Sequence, residues 1–367
     1  MYKKILTLVL ICSFVFTQAS GQSNSLNPNK VTYPSYSAAH RTNFVFPKVG
    51  EYVVLTADLH THTIFSDGLV WPTLRIAEAW AGGLDAVSIT DHIEYRPFRN
   101  YTNNDHNTSY DIAKPDADRA GLLLIKGTEI TRTQSTIGHY NAIFIKDANK
   151  IAVEDAKASI QEARNQGGFI IWNHPGWAVD TTVIKDFQEN LFDEGLIDGI
   201  EVFNNTEFYP RTLAWAIDKN LTIIAASDVH GNVESGVLKE QGTERPMTLV
   251  LSKEKSLEGI REALDNGRTI AYFQNMLAAR EDIAKEFVSA CVTLRVAHKD
   301  NKTIWLVMEN RGSAPFRVKT NNTEHYLPGL SSIIVTTPVS ETNYLRVNFT
   351  NFYIYEDKTL AHDLYFN

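Results

Sequence analysis

A chain of 367 residues with 43% hydrophobic content can bury a large core, which excludes a disordered protein and points to two domains, or a barrel with an appendage. Its formal net charge of -8 makes a surface that repels polyanions, which argues against a non-specific nucleic-acid binder.

In chain order, Lys3 and Lys4 precede an apolar run at 5–16 that is too short to span a bilayer, and Ala19-Ser20-Gly21 offers small residues ahead of Gln22. Residues 1–21 therefore read as a signal peptide, and the mature protein is expected to be exported, periplasmic or secreted. Cys12 follows the bulky Ile11, which disfavours lipid attachment, and removal of the leader leaves Cys291 as the only cysteine, without a disulfide partner. No later stretch has the length of apolar sequence that a transmembrane anchor needs. Residues 22–50 are polar and punctuated by proline, an extended lead-in.

An apolar run at 52–55 leads into Ala57-Asp58-Leu59-His60-Thr61-His62, followed by Ser66-Asp67-Gly68. Residues two apart on a strand share a face, so His60 and His62 can serve one site while Asp67 curls back over it from the loop. From residue 53 onward short apolar runs alternate with amphipathic helices, a βα pattern that predicts an α/β fold with a largely parallel sheet. A helix at 72–80 opens with Pro72, and a strand at 86–90 ends in Asp91-His92. The strand at 122–125 runs on to Glu129 and Arg132, whereas His139 stands at the start of its apolar run, 140–145. A helix at 153–165 precedes a strand at 169–172 ending in Asn173-His174-Pro175. A strand at 199–203 ends in Asn204, and after a helix at 211–219 the strand at 221–226 ends in Ser227-Asp228-Val229-His230. The run 248–251 and a helix at 256–266 complete the series.

Candidate ligands thus gather at the C-terminal ends of strands, where barrels of parallel strands place their active sites. Each residue has a plainer reading, such as a helix cap for Asp228 or a turn histidine for His174. Six histidines and three carboxylates placed in this way point instead to metal. A nitrogen and oxygen ligand set without thiolate suits an open, catalytic site for zinc, manganese or iron.

Beyond a linker helix expected at 276–291, short alternating segments separated by turn clusters such as Lys299-Asp300-Asn301 predict a small all-β, Ig-like sandwich at 292–367, without the cysteine pair of antibody domains.

The motifs Asp58-Leu59-His60-Thr61-His62, Ser66-Asp67-Gly68, Thr90-Asp91-His92, Glu129, His139, Asn173-His174-Pro175 and Ser227-Asp228-Val229-His230 resemble those of the polymerase and histidinol phosphatase (PHP) superfamily. Gly68-Leu69-Val70-Trp71-Pro72, Asp91-His92-Ile93-Glu94-Tyr95-Arg96-Pro97 and Glu129-Ile130-Thr131-Arg132 are similar to a narrower group of exported, phosphodiesterase-like members with a C-terminal β domain, although residues 133–137 lack that group's prolines. The resemblance implies a distorted (β/α)7 TIM-like barrel over 51–275 with three divalent metal ions at its mouth. His60, His62, Glu129 and Asp228 would hold the first ion, Glu129 with His139 and His174 the second, and Asp67, His92 and His230 the third.

Three divalent ions outweigh the charges of Glu129, Asp67 and Asp228, which leaves a seat for an anionic substrate. A water shared by two ions would lose its proton near neutral pH and act as the nucleophile. Arg132, three residues beyond Glu129, is a candidate phosphate clamp because guanidinium pairs with phosphate in a bidentate way. Asp91 is expected to orient a ligand histidine from behind. His106, in a polar loop, and Asn204, at a strand end, are candidate substrate contacts. The reading is an exported metal-dependent phosphoesterase acting on phosphodiesters or small organic phosphates, with no nucleic-acid partner. Its alternatives are a hydrolase of a non-phosphate ester or amide, and a non-catalytic metal-binding module.

Overall fold

The computed structural model describes residues 40–233 and 245–366. The leader, and the lead-in as far as residue 39, lie outside the described residues.

The first strands are β1 (Val53–Asp58), β2 (Ala86–Ile89), β3 (Leu123–Thr131), β4 (His139–Ile143) and β5 (Phe169–Asn173). They are followed by β6 (Gly199–Asn204), the short β7 (Glu207–Phe208), β8 (Thr222–Ala226), β9 (Met247–Ser252) and β10 (Thr269–Phe273). Between them run helices α1 (Pro72–Ala81), α2 (Thr108–Ala120), α3 (Ala148–Ile151), α4 (Ala156–Asn165), α5 (Asp186–Asp193), α6 (Pro210–Asp218) and α7 (Leu257–Asp265). Hydrogen bonding links the strands in the order β10-β9-β1-β2-β3-β4-β5-β6, and β8 pairs with β6. The sheet curls into a barrel whose interior is filled by Leu55, Ala57, Ile125, Ile143, Ile171, Ile224, Ala226 and Val250. A second apolar layer, which includes Ile160, Leu191, Leu213 and Phe203, packs the helices onto its outside.

The distortion of the barrel has two sources. First, β4 runs antiparallel to both β3 and β5, and β9 runs antiparallel to β1. The expectation of a largely parallel sheet therefore holds for β1, β2 and β3 and for β5, β6 and β8, but not for these two insertions. Second, threonine hydroxyls fasten β8 to β9 and β10. Thr248 Oγ1 donates to the Ala225 carbonyl at 2.8 Å and accepts from the Ala225 amide at 3.0 Å, while Thr269 Oγ1 donates to the Ile223 carbonyl at 2.7 Å.

Helix α2 was not foreseen from the sequence. It buries only Ser109, Ala113 and Ala117, a stripe of small residues at helical spacing, and carries Pro115, so its apolar periodicity is faint. Helix α4 starts later than the predicted residue 153, because the Asp155 carboxylate accepts from the Ala158 amide and caps it there.

The predicted linker helix divides into a strand, β11 (Met276–Ala278), and helix α8 (Glu281–Cys291). Strand β11 pairs antiparallel with β10 and parallel with β17 (Tyr344–Tyr353), Leu277 facing Phe352 in register. The barrel sheet thereby continues into the C-terminal strands. There β17 is flanked by β14 (Phe316–Thr320) and β18 (Thr359–Tyr365), with β15 (Thr323–Leu327) beyond β14. A separate antiparallel sheet joins β12 (Val292–Lys299), β13 (Thr303–Asn310) and β16 (Ser331–Pro338). Both sheets feed one core, with Leu294, Leu306, Met308 and Val335 from one and Phe316, Val318, Val347 and Phe349 from the other. That core is continuous with Ile76, Leu84 and Leu249 under the barrel, and Arg41–Asn367 forms a single compact unit. No helix among the described residues is long and apolar enough to cross a membrane.

Phe287 of α8 sits at the junction, its ring against Phe46, Phe316 and Phe352. Replacing it by alanine should cost about 3–5 kcal/mol. Because the core is shared, barrel and C-terminal sheets should still unfold in one step in urea, followed by circular dichroism and tryptophan fluorescence.

Candidate metal centre

Strand β1 carries its chain to the barrel mouth and continues past Asp58 without leaving the sheet, since Thr61 bridges to Val229 and the His62 amide donates to the Val229 carbonyl at 3.1 Å. His60 and His62 keep the shared face expected of strand neighbours, and both are fully buried. The chain then folds back on itself at 63–68. A side chain at Gly68 would fall 2.6 Å from the Thr63 amide nitrogen, so only glycine allows the return that brings Asp67 over the site.

The first group of ligands is tight. His60 Nε2 lies 3.0 Å from His62 Nε2 and 3.2 Å from Asp228 Oδ1, and His62 Nε2 lies 3.0 Å from the same oxygen. Both ring nitrogens are 3.5 Å from Glu129 Oε2. Ligands about 2.0–2.1 Å from one ion stand about 3 Å or a little more apart, so the spacing of His60 and His62 from each carboxylate suits a shared divalent ion. The other oxygens of both carboxylates face a second group. Glu129 Oε1 is 3.1 Å from His139 Nδ1 and 3.6 Å from His174 Nε2, and Asp228 Oδ2 is 3.7 Å from His174 Nε2. In the third group Asp67 Oδ1 lies 3.3 Å from His92 Nε2 and 3.2 Å from His230 Nε2. All nine expected ligand residues converge in overlapping sets able to hold metal.

The atoms facing these positions lack other partners. Asp67 Oδ1 and Glu129 Oε2 are shut off from solvent and accept no well-aligned hydrogen bond, their only close neighbours being ligand imidazoles such as His92 Nδ1, 2.7 Å from Glu129 Oε2. Burial penalises the charge on each, and a cation at these positions would offset that penalty directly. The donor set therefore fits divalent metal.

Electrostatics follow from the crowding. Burial, with His230 and His92 nearby, pulls His62 down to about 3, leaving a neutral imidazole with a lone pair to offer. Burial also disfavours charge on His60 and His92, but for His60 the carboxylates of Asp228, Glu201 and Glu129 prevail and raise it, and Glu129 and Asp67 bring His92 up to about 10. Burial would raise the Glu129 carboxyl, yet the surrounding histidines hold it well below the usual carboxylate range. Two of the ligands carry backbone strain, Asp228 and His174 adopting positive φ of 51° and 29°.

Several supporting residues escaped the sequence reading. Glu201, in the middle of β6 and fully buried, accepts from His60 Nδ1 at 2.8 Å, from the His174 amide at 2.7 Å and from Asn204 Nδ2 at 2.8 Å. A carboxylate inside the apolar run Gly199–Asn204 was the available signal. Arg75, buried on α1, donates to the carbonyls of His62, Val229, His230 and Gly231 and so ties the two ligand loops together. Its signal was an arginine on the inward face of an amphipathic helix. Asp58 accepts from the Ser227 amide at 3.0 Å and fixes the turn that presents Asp228.

Of the remaining expected residues, Asp91 lies behind the ligands. Its carboxylate accepts from the Thr63 amide at 2.6 Å and from Ser66 Oγ at 2.8 Å, and Ser66 Oγ is 3.3 Å from His62 Nδ1, so Asp91 positions His62 through Ser66. Arg132 needs correction. Each terminal nitrogen makes two hydrogen bonds, one to Glu94 and the Thr131 carbonyl, the other to the carbonyls of Val153 and Glu154, so its donors are not offered to a phosphate. Asn204 spends its amide on Glu201 instead of facing a substrate. His106 belongs to none of the ligand groups, and its amide donates to Asn149 Oδ1 at 3.0 Å in the loop before α2.

A buried His, Glu and Asp cluster at the mouth of a βα barrel is the architecture of a metal-dependent hydrolase. No protein-family model and no curated protein matches the sequence. Among solved structures, the chain is similar to a two-domain protein from Bacteroides vulgatus ATCC 8482 containing a predicted PHP-like metal-dependent phosphoesterase, with 38% identity, a TM-score of 0.84 and coverage of 89% of this chain and 99% of that one. The chain belongs to the PHP-like metal-dependent phosphoesterases. Fainter likenesses are to a protein from Bifidobacterium adolescentis described as a metal-dependent phosphoesterase (19% identity, TM-score 0.43, 57% of this chain and 96% of that one) and to a lesion-specific endonuclease from Pyrococcus furiosus (14% identity, TM-score 0.41, 66% and 62%). At those scores neither says anything further of this chain.

Glu201→Gln keeps the shape of the side chain but removes the charge that faces His60 Nδ1. It should lower metal affinity about 10–100-fold. Competition with a coloured chelator would measure this, and unchanged affinity would strip Glu201 of its role.

Proposed function

We propose that this protein is an exported metal-dependent phosphoesterase that hydrolyses phosphodiesters or small organic phosphates at a site for three divalent ions. The observation that carries the reading is a pair of carboxylates, fully buried Glu129 and partly buried Asp228, each of which turns one oxygen to the His60 and His62 pair and the other toward His174. His60, His62, Glu129 and Asp228 would hold one ion, Glu129, His139 and His174 a second, and Asp67, His92 and His230 the third. When bound, such ions supply Lewis-acid activation of water and neutralise charge on a phosphoryl group.

The chain's own residues set the protons. Glu201 accepts from His60 Nδ1 and so selects the tautomer whose Nε2 lone pair would face an ion once the second ring proton is displaced. Ser66 gives its own proton to Asp91 and accepts from His62 Nδ1, with the same result at that ring. Because Arg132 is engaged elsewhere, the ions themselves would supply positive charge to the phosphoryl group. In this reading 51–275 is the catalytic domain and 292–367 an Ig-like appendage that extends its core.

Elemental analysis of the purified protein should find about three divalent ions per chain. With manganese, zinc or iron supplied, bis(p-nitrophenyl) phosphate or p-nitrophenyl phosphate should be hydrolysed, and chelation should abolish this. Turnover of p-nitrophenyl acetate or a p-nitroanilide in place of both phosphoesters would move the assignment to a carboxylic ester or amide. Metal-free protein without turnover would leave a non-catalytic module. Export predicts a mature N-terminus at Gln22, read by intact mass of protein recovered outside the cytoplasm.

A further inference from the structure

We infer that the substrate carries a planar aromatic group beside its phosphoryl group, and that Trp177 is the platform on which that group stacks. The inference deepens the phosphoesterase reading and rests on it. Trp177 is 47% exposed, a large apolar surface left in water directly beside the metal site. Its ring lies 5.4 Å from that of His174 and 5.8 Å from that of His139. Any group lying against this indole is therefore within reach of an ion held by those histidines.

The indole is placed by the same turn that places its neighbouring ligand. The Trp177 amide donates to the His174 carbonyl at 2.9 Å, and Gln134 Nε2 donates to that carbonyl at 3.0 Å. Gly176 between them is pressed on the Tyr209 ring, where an added side chain would come within 2.6 Å, so the turn is locked against the barrel. At the other end of the site Tyr95, 57% exposed, sets its ring 6.0 Å from that of His92, and the rings of His92 and His139 are 6.2 Å apart. Tyr95, His92, His139 and Trp177 thus form a row across the mouth, aromatic and solvent-facing at both ends.

Among the described residues, Arg96 and Arg132, both close in sequence to ligands, already have partners. Arg132 is bound by Glu94 and backbone carbonyls, and Arg96 by the carbonyls of Phe65, Asn103 and Asn104. At Trp177 it is stacking and apolar contact that would distinguish one phosphoester from another.

The test is titration calorimetry of the full, manganese-loaded chain with phenylphosphonate and methylphosphonate, which share a headgroup and contain no scissile ester. Phenylphosphonate should bind about tenfold more tightly. Trp177→Ala should erase that preference and Trp177→Phe should keep it, while metal content and methylphosphonate affinity stay at the wild-type level. Equal affinity of the wild type for both ligands, or equal weakening of both by Trp177→Ala at unchanged metal content, would overturn the platform and leave the phosphoesterase reading standing. If the loaded protein binds neither phosphonate, both readings fall.

Discussion

A carboxylate buried at the centre of the barrel mouth is the constraint on which this structure depends. Glu129 is fully buried, at the end of a strand whose interior side chains are apolar, and solvent cannot compensate its charge. It is surrounded instead by His60, His62, His92, His139 and His174, each from a different part of the chain except the first two. The ligand strands must therefore end at one level, and their loops must stay short enough to face inward. The site and the fold are one solution to the same electrostatic problem, and divalent ions complete it.

The residues behind the ligands show the same logic one layer out. Asp58, Asp91 and Glu201 are buried acids that touch ligand-bearing backbone or ligand side chains, and each is met by donors from the same loops. Arg75 adds the opposite charge, facing the carbonyls of both ligand loops while its other end pairs with Glu78 at 2.6 Å. Burial in low dielectric makes each of these contacts strong and each unpaired alternative costly, so the ligand geometry is set before any ion arrives.

The C-terminal strands are tied to this site mechanically, not chemically. Strand β11 passes the barrel's hydrogen bonding on to β17, and Phe287 fills the joint. An open barrel edge at β10 would otherwise be exposed for pairing with other chains, and the added sheet covers it. The segment after Arg41 reinforces the joint from the other side, where the Val45 amide donates to Ser313 Oγ and the Ser313 amide to the Val45 carbonyl, both at 2.8 Å.

The sequence by itself determined the class of fold and singled out the nine residues that converge at the barrel mouth. Histidines two apart on a strand share a face, so His60 with His62 is legible locally, while Asp228 and His230 are legible as candidate ligand types just past a strand's end. Tertiary structure alone decided what the other charged residues do. Arg132 is near Glu129 in sequence, yet Glu94 and the carbonyls before α4 capture it, a competition between partners that no local pattern displays. Glu201 has no role that its own strand displays, and only the placement of β6 beside β5 brings its carboxylate to His60 and His174. His139 stood at the wrong end of its strand for a parallel barrel, and only the antiparallel pairing of β4, with His139 in register with Thr131 and Asn173, puts that end at the mouth. Strand direction and long-range partners are properties of the assembled sheet, because a strand's sequence encodes which face is buried but not which neighbour it will find.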